Sequence, residues 1–445
     1  MEDGGIAFTA ANHSLTVAFA TLGCKTNQFE TAAMQQQVVD AGYQVVPFAA
    51  GADLVVVNTC TVTSATDSQS RNLIRRARRL NPASRVVVTG CYAQVDPQTL
   101  AAIPGVSVVI GNQEKGRLLD FLKTDPPAKA VAVSDSRSAG GHSLSAVSSF
   151  AGRSRAFVQV QNGCDAFCTY CIIPYARGPS RSVTAEEVLS QVQTLVKKGF
   201  NEVVLTGIHV GGYGKDLSPS IDLIDLTQRI AQQTKVRRVR LGSIEPMEIP
   251  DRLVELVADS QVVCPHFHVP LQSGDNQVLQ RMGRNYDSEM FRERIMAIHR
   301  SIPDVGIGLD MITGFPGESE AEFNNSLALI DSLPISYLHV FPYSRRPGTP
   351  AAEFPDQVPG AVSRSRAERL RRLAATKQEQ FARRFVGSNL ELIVEGQVES
   401  GHFKGVARNY LSVSFRGDDD LRGQLVWVKV TGFERGGLVG ELVSS

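Results

Sequence analysis

Gly163-Cys164-Asp165-Ala166-Phe167-Cys168-Thr169-Tyr170-Cys171 packs three of the chain's seven cysteines into one short stretch. The spacers are too short for the sulfurs to face apart, so the thiols converge on one point. A structural zinc site closes with four protein ligands, whereas a cubane iron–sulfur cluster held by three thiolates leaves one iron open to a further ligand. Disulfide pairing would leave one cysteine of the cluster unmatched. A zinc knuckle would need a fourth His or Cys that the neighbouring sequence does not supply.

The stretch follows an apolar run, and its surroundings give the fold. From Ala156 to Tyr343, strand-like and helical segments alternate about six times, with strands expected at 157–161, 202–206, 237–241, 267–271, 305–311 and 336–341. This pattern predicts a parallel β/α barrel, incomplete at six units, with the cysteine cluster at the strand end where such barrels place their chemistry. Upstream, strands at 15–22, 53–57 and 85–89 alternate with helical periodicity at 26–41 and 68–80, the signature of an α/β parallel sheet. Cys24, Cys60 and Cys91 each come directly after one of those strands. Strand ends of a parallel sheet share one edge, so these three cysteines should meet and hold a second metal cluster. Cys264 belongs to neither triad and reads as a buried spacer.

Between about Lys123 and Arg155 the pattern dissolves into Pro126-Pro127 and a Ser- and Gly-rich stretch, a composition suited to a surface linker. A basic helix at 363–385 leads to short strands at 390–394, 406–413, 424–430 and 438–443, a small β-barrel. The expected domains are therefore 14–125 with the second cluster, a linker at 126–150, the barrel at 151–375 and the β-barrel module at 376–445. On the last module His402, Lys404, Arg408, Asn409, Tyr410 and Arg416 are expected to be exposed and suited to gripping phosphates and stacking bases, or to be ordinary solvated residues. Arg71, Arg75, Arg76, Arg78 and Arg79 on one helix, and Arg364, Arg366, Arg369, Arg371 and Arg372 on another, form further basic stripes for a phosphate backbone, or solvated faces.

Lys plus Arg nearly balance Asp plus Glu, for a net charge of +1 over 445 residues, so nucleic-acid contact must come from local patches. No apolar run reaches membrane-spanning length, and the acidic start Met1-Glu2-Asp3 does not read as a signal peptide. A cytoplasmic protein is expected, with no membrane partner. The odd number of clustered cysteines fits a reducing compartment.

The barrel cluster resembles that of the radical S-adenosylmethionine superfamily. The resemblance implies a [4Fe-4S] cluster on Cys164, Cys168 and Cys171, whose open iron is chelated by S-adenosylmethionine, which on reduction yields a 5′-deoxyadenosyl radical. It also implies cofactor contacts near Tyr170 and at the strand ends: Thr206, Gly207 and His209; Ser243 and Glu245; Gln272 and Ser273; Gly314; and Phe341. The superfamily's Gly-Gly-Glu is absent after the second strand. Glu245 reads either as an acceptor for the cofactor or as a cap of the next helix, and His268 as a core histidine.

The order of the three domains, with Thr21-Leu22-Gly23-Cys24-Lys25-Thr26-Asn27-Gln28, Asn58-Thr59-Cys60-Thr61, Ser243-Ile244-Glu245-Pro246 and Phe341-Pro342-Tyr343-Ser344, resembles the methylthiotransferase family over nearly the whole chain. The last module is similar to the RNA-binding TRAM domain. The resemblance implies an auxiliary [4Fe-4S] cluster on Cys24, Cys60 and Cys91 involved in providing sulfur, and S-adenosylmethionine as both radical source and methyl donor. Its branch implies methylthiolation at C2 of N6-threonylcarbamoyladenosine next to the anticodon. Sister branches act on isopentenyladenosine in tRNA or on a ribosomal protein. The implied partners are a tRNA anticodon stem-loop, a low-potential electron donor such as a flavodoxin or ferredoxin, and a sulfur source. A reading of another class is an RNA-binding iron–sulfur protein without turnover.

Overall fold

The computed structural model describes residues 15–123, 130–138, 147–150, 152–399, 401–417, 420–434 and 436–443. Met1 to Asp3, Pro126-Pro127 and the Ser- and Gly-rich part of the expected linker from 139 to 146 lie outside the described residues.

Six parallel strands form the N-terminal sheet: β1 (Thr16–Thr21), β2 (Gln44–Val45), β3 (Leu54–Thr59), β4 (Arg85–Gly90), β5 (Val106–Ile110) and β6 (Ala130–Ala132), in the order β2-β1-β3-β4-β5-β6. β3 is buried at every position, as a central parallel strand covered on both faces must be. Helix α1 (Lys25–Asp40), which follows β1, packs Met34 and Val38 on one face against Val17, Leu54 and Val56. Helix α2 (Ser64–Leu80), which follows β3, packs Ile74 and Ala77 on the other face against Val55, Val57 and Val86. Leaving the sheet on opposite faces, the two connections open a crevice between the ends of β1 and β3, the switch point where doubly wound sheets bind ligands.

The second body begins at β7 (Arg155–Gln159). A short pair, β8 (Gln161–Asn162) and β9 (Arg181–Ser182), clamps the two ends of the cysteine loop. Then come β10 (Glu202–Thr206), β11 (Arg238–Arg240), β12 (His266–Gln272), β13 (Gly306–Thr313) and β14 (Tyr337–Pro342). They form two parallel three-stranded sheets, β11-β10-β7 and β12-β13-β14, joined by bridges at Val239–Val263 and Ser243–His268. No pairing joins β7 to β14, so the barrel is open along one side, and α1 lies against β7 there. The long helix Gly360–Arg383 packs on β13 and β14. It leads into β15 (Asn389–Glu399), β16 (His402–Ala407), β17 (Ser412–Arg416), β18 (Leu425–Glu434) and β19 (Gly437–Leu442), a closed barrel.

Three expectations need correction. The described part of 126–150 is not a free surface linker: β6 extends the sheet, and Val147 and Phe150 are buried in the barrel core. The expected strand 406–413 is broken by a turn, in which Tyr410 has a φ of 72° and Asn409 is buried. That turn does not present Arg408, Asn409 and Tyr410 to a ligand. It seats the module under the barrel, with Arg408 donating to the carbonyls of Gln261 and Val263, and the Tyr410 ring tilted against that of His266 at 4.6 Å. Lys404 and Arg416 stay exposed. The stripe on the long helix is partly structural too: Arg366 is buried on Glu318 at 2.8 Å, and Arg369 pairs with Glu320. Among the described residues no helix is long and apolar enough to cross a membrane.

Candidate active site

Cys24, Cys60 and Cys91 stand at adjacent ends of β1, β3 and β4, around the switch point. Asn27 ties the first two loops together, donating to Leu22 O at 2.8 Å and to Thr59 O at 3.0 Å. Gly23 has a φ of 95°, and a side chain there would come within 2.9 Å of Cys60 Sγ, so the first loop lies directly on the second sulfur. Cys24 is exposed while Cys60 and Cys91 are buried. Burial, and then the proximity of Cys91, push the Cys60 thiol up to about 12. Three converging thiols of this kind ionise together only around a metal that takes up their charge.

The barrel triad behaves alike. Burial raises the Cys171 thiol to about 12. Arg284 donates to Cys168 Sγ at 3.1 Å, and Cys168 O accepts from Cys171 N at 2.9 Å. All seven cysteines are free. Three converging sulfurs, with Arg284 beside Cys168 and a cavity adjoining them, fit a cubane with one open iron.

That cavity, about 610 Å³, is lined by Cys168, His209, Lys215, Glu245, Glu248 and Arg284 among others. Three expected site residues therefore meet there: Cys168, His209 and Glu245. His209 Nε2 lies 3.0 Å from Glu248, and hydrogen bonds to Cys164 and then Glu248 hold its pKa at about 10. Glu245 makes no helix cap; it is paired with Arg284. Its burial nevertheless keeps its pKa above the ordinary carboxylate value.

The other expected contacts are placed differently. Tyr170 packs on the apolar cluster of Val278, Met282 and Phe315. Thr206 is buried, and its carbonyl accepts from Val160; Gly207 lies tight against Gln161. Ser273 is fully buried, its hydroxyl taken by Asp275 N and facing Ser326, which directs it away from the cavity. Gly314, with a φ of 72°, gives way to Ser363 of the long helix, so close approach to that helix is its reason to be glycine. Gln272 sits at the irregularity of β12 with a φ of 68°. Ser243 and Phe341 line the barrel interior: Ser243 Oγ is 2.9 Å from His268 Nδ1, and Phe341 is 45% exposed.

Arg284, Glu248 and Lys215 were not legible in the sequence, where each is one charged residue in a loop without a motif. Two further groups, Lys25 at the start of α1 and Asp310 on β13, also gain their setting only from the fold. Lys25, lowered to about 8 by burial and then by Arg155 and Arg240, points from the auxiliary triad toward the barrel interior. Asp310 is held below the usual carboxylate range, because hydrogen bonds from His268 and His339 outweigh its burial.

The two bodies are locked face to face by buried charge. Arg177, which ends the helix after the cysteine loop, donates to Glu30 at 2.6 Å and to Asn27 at 2.5 Å on α1; Lys115 meets the other oxygen of Glu30. On the other flank Arg346 pairs with Asp67 of α2 at 2.6 Å. Since Asn27, which takes Arg177, also ties the Cys24 and Cys60 loops together, the auxiliary triad faces the barrel's catalytic end.

Comparison with known proteins agrees with this geometry. Residues 16–111 match the family described as uncharacterized protein family UPF0004, and residues 158–330 match the radical SAM superfamily. The threonylcarbamoyladenosine tRNA methylthiotransferase of Bacillus subtilis (strain 168) is 42% identical, over 93% of this chain and 93% of that protein. The Aquifex aeolicus protein of the same name is 39% identical over 94% of this chain and 100% of its own length. A tRNA-2-methylthio-N(6)-dimethylallyladenosine synthase of Clostridium botulinum is 31% identical over 95% of both chains. Among solved structures, the radical S-adenosylmethionine methyltransferase TsrM of Kitasatospora setae superposes with a TM-score of 0.56 at 16% identity, covering 76% of this chain and 77% of that one, a likeness of fold.

Proposed function

The chain belongs to the methylthiotransferase family of radical S-adenosylmethionine enzymes, and from that premise we propose that it converts N6-threonylcarbamoyladenosine beside the anticodon of tRNA into its 2-methylthio derivative. The observation that carries this reading is the second cysteine triad, set at a sheet's switch point and turned toward the barrel's catalytic end through Asn27 and Arg177. A radical enzyme that only removes hydrogen has no use for it. When bound, the two [4Fe-4S] clusters and S-adenosylmethionine supply the radical, the sulfur path and the methyl group for C–S bond formation at adenine C2.

The protein's own groups hold and orient. Cys164, Cys168 and Cys171 carry the barrel cluster; Cys24, Cys60 and Cys91 carry the auxiliary one. Arg284 and Glu245 offer a cation and an anion to the carboxylate and ammonium of a methionyl group, and Arg284 also steadies Cys168. The Glu248–His209 pair lines the same cavity, with His209 beside Cys164. The exposed Lys404 and Arg416 are the remaining candidates on the small barrel for phosphate contact. The electron donor is a low-potential flavodoxin- or ferredoxin-like protein, and a tRNA substrate places the enzyme in the cytoplasm.

The test is nucleoside mass spectrometry of tRNA treated with anaerobically reconstituted enzyme and S-adenosylmethionine. The expected product is methylthio-threonylcarbamoyladenosine. Alanine in place of Cys164, Cys168 or Cys171 abolishes S-adenosylmethionine cleavage, while alanine in place of Cys24, Cys60 or Cys91 leaves cleavage and removes thiolation. Product on isopentenyladenosine alone, or on a ribosomal protein alone, rejects the substrate assignment; RNA binding without any cleavage rejects the enzyme.

A further inference from the structure

The interior of the barrel along its open side is not filled. Alternation along β14 turns Leu338 and Val340 into the core, so Tyr337, His339 and Phe341 face inward. Yet the His339 side chain is 54% exposed and Phe341 45% exposed. Barrels of this type normally pack such positions with side chains. The room is lined by a polar set centred on Asp310 of β13. His268 Nε2 lies 3.0 Å and His339 Nδ1 3.2 Å from the same oxygen, Asp310 Oδ1, and Ser243 holds the other nitrogen of His268.

Above this set stands Lys25, the residue after Cys24 and the first of α1. Helix α1 lies against β7 at the open side with Phe29, Ala32 and Ala33 in the barrel core, so its first turn, half-buried at Lys25, borders the same interior, where Arg155, Arg240 and Asp310 are the charges that act on that lysine. Both arginines have partners, Arg240 in Glu202 at 2.8 Å and Arg155 in Glu395 at 2.5 Å. Lys25 forms no hydrogen bond or ion pair among the described residues. A half-buried ammonium without a partner, facing an open polar room, is a site for an anion. A divalent ion suits the set less well, since both nitrogens of His268 are engaged and one would have to be released.

We propose that Lys25 and Asp310, with His339, form the pocket that reads the acyl group of the nucleoside, Lys25 taking its carboxylate and Asp310 with His339 its hydroxyl or N–H. This rests on the reading of the enzyme as acting on threonylcarbamoyladenosine, and names what distinguishes that substrate here. A threonylcarbamoyl group carries the carboxylate, hydroxyl and N–H that this wall complements. A prenyl group carries none of them. It would leave the Lys25 ammonium half-buried and unpaired, and a polar group left unpaired is the strongest form of discrimination a pocket can make.

The test measures binding of anticodon stem-loop RNA to the holoenzyme by fluorescence anisotropy, with loops bearing threonylcarbamoyladenosine, its methyl ester, or plain adenosine. Wild type should bind the free acid about tenfold or more tighter than either other loop, the scale of one charge-assisted contact. Lys25→Met should bind acid and ester alike, and Lys25→Arg should keep the preference. A purely structural role for Lys25 cannot produce that coupling between one side chain and one ligand charge. Equal binding of acid and ester by wild type overturns the inference without any variant, so a misfolded Lys25→Met protein does not leave it undecided. A preference that survives in Lys25→Met with both clusters loaded, by iron count, overturns it too. Failure of the parent reading shows separately, as wild-type enzyme that methylthiolates a prenylated loop and not the threonylcarbamoylated one.

Discussion

Arg284 touches Cys168, Glu245 and the Tyr286 hydroxyl, and no neighbour in sequence announces it. Its importance comes from a loop 116 residues away from Cys168 that folds back beside the cluster. The cysteines were legible because ligand spacing is a local property; Arg284 was not, because its partners are assembled only by the barrel. Replacing it by Gln leaves the half-buried Glu245 without its cation. The expected outcome is an S-adenosylmethionine affinity about tenfold lower or worse with iron content retained, read by equilibrium dialysis and by 5′-deoxyadenosine formation. Gly23 gives the converse case. An alanine there has a φ of 95° to tolerate and Cys60 in its way. Gly23→Ala should cost about 1–3 kcal/mol, and reconstituted iron should fall from about eight atoms to about four as the auxiliary cluster alone is lost.

Helix α1 was readable as a helix from its periodicity, and its polar side was not readable as an interface. Asn27 and Glu30 look like solvated residues, yet Asn27 is wholly buried and Glu30 is 2% exposed, between Arg177 and Lys115. Burial alone would raise the Glu30 carboxyl; its two cations hold it down at about 2. A carboxylate with a depressed folded pKa contributes stability that is complete above its unfolded value of about 4.3 and is lost as pH falls toward the folded one. Thermal melts of wild type should therefore lose Tm between about pH 4 and pH 2 through this group. Glu30→Gln should lack that component and be destabilised at neutral pH by about 3–5 kcal/mol, because two buried cations lose their counter-charge.

At the scale of the whole molecule, the small C-terminal barrel is a wedge as well as a candidate RNA grip. Arg238 and Arg240, fully buried at the barrel floor, reach Glu391 and the carbonyls of Ala407 and Arg408, and Tyr410 lies under Arg240 at 5.1 Å. Tyr410→Ala should lower Tm and open the junction to limited proteolysis while RNA contact on the other face persists. Lys404→Glu with Arg416→Glu should weaken RNA binding and reduce its salt dependence without moving Tm.

Local pattern alone was enough for the three architectures in order, the two cysteine triads and the family, because strand alternation and thiol spacing are written locally and survive without knowledge of distant contacts. It took the assembled fold to make the turn at Arg408 to Tyr410 a seat, to set Ser273 against Ser326 and Gly314 against Ser363, and to bring Arg284 to the cavity and His268 and His339 to Asp310. Each of these depends on which polar group is buried against which partner from another element. Burial and pairing of charge are properties of the assembled chain, where a lone lysine or arginine in a loop takes its meaning from what faces it.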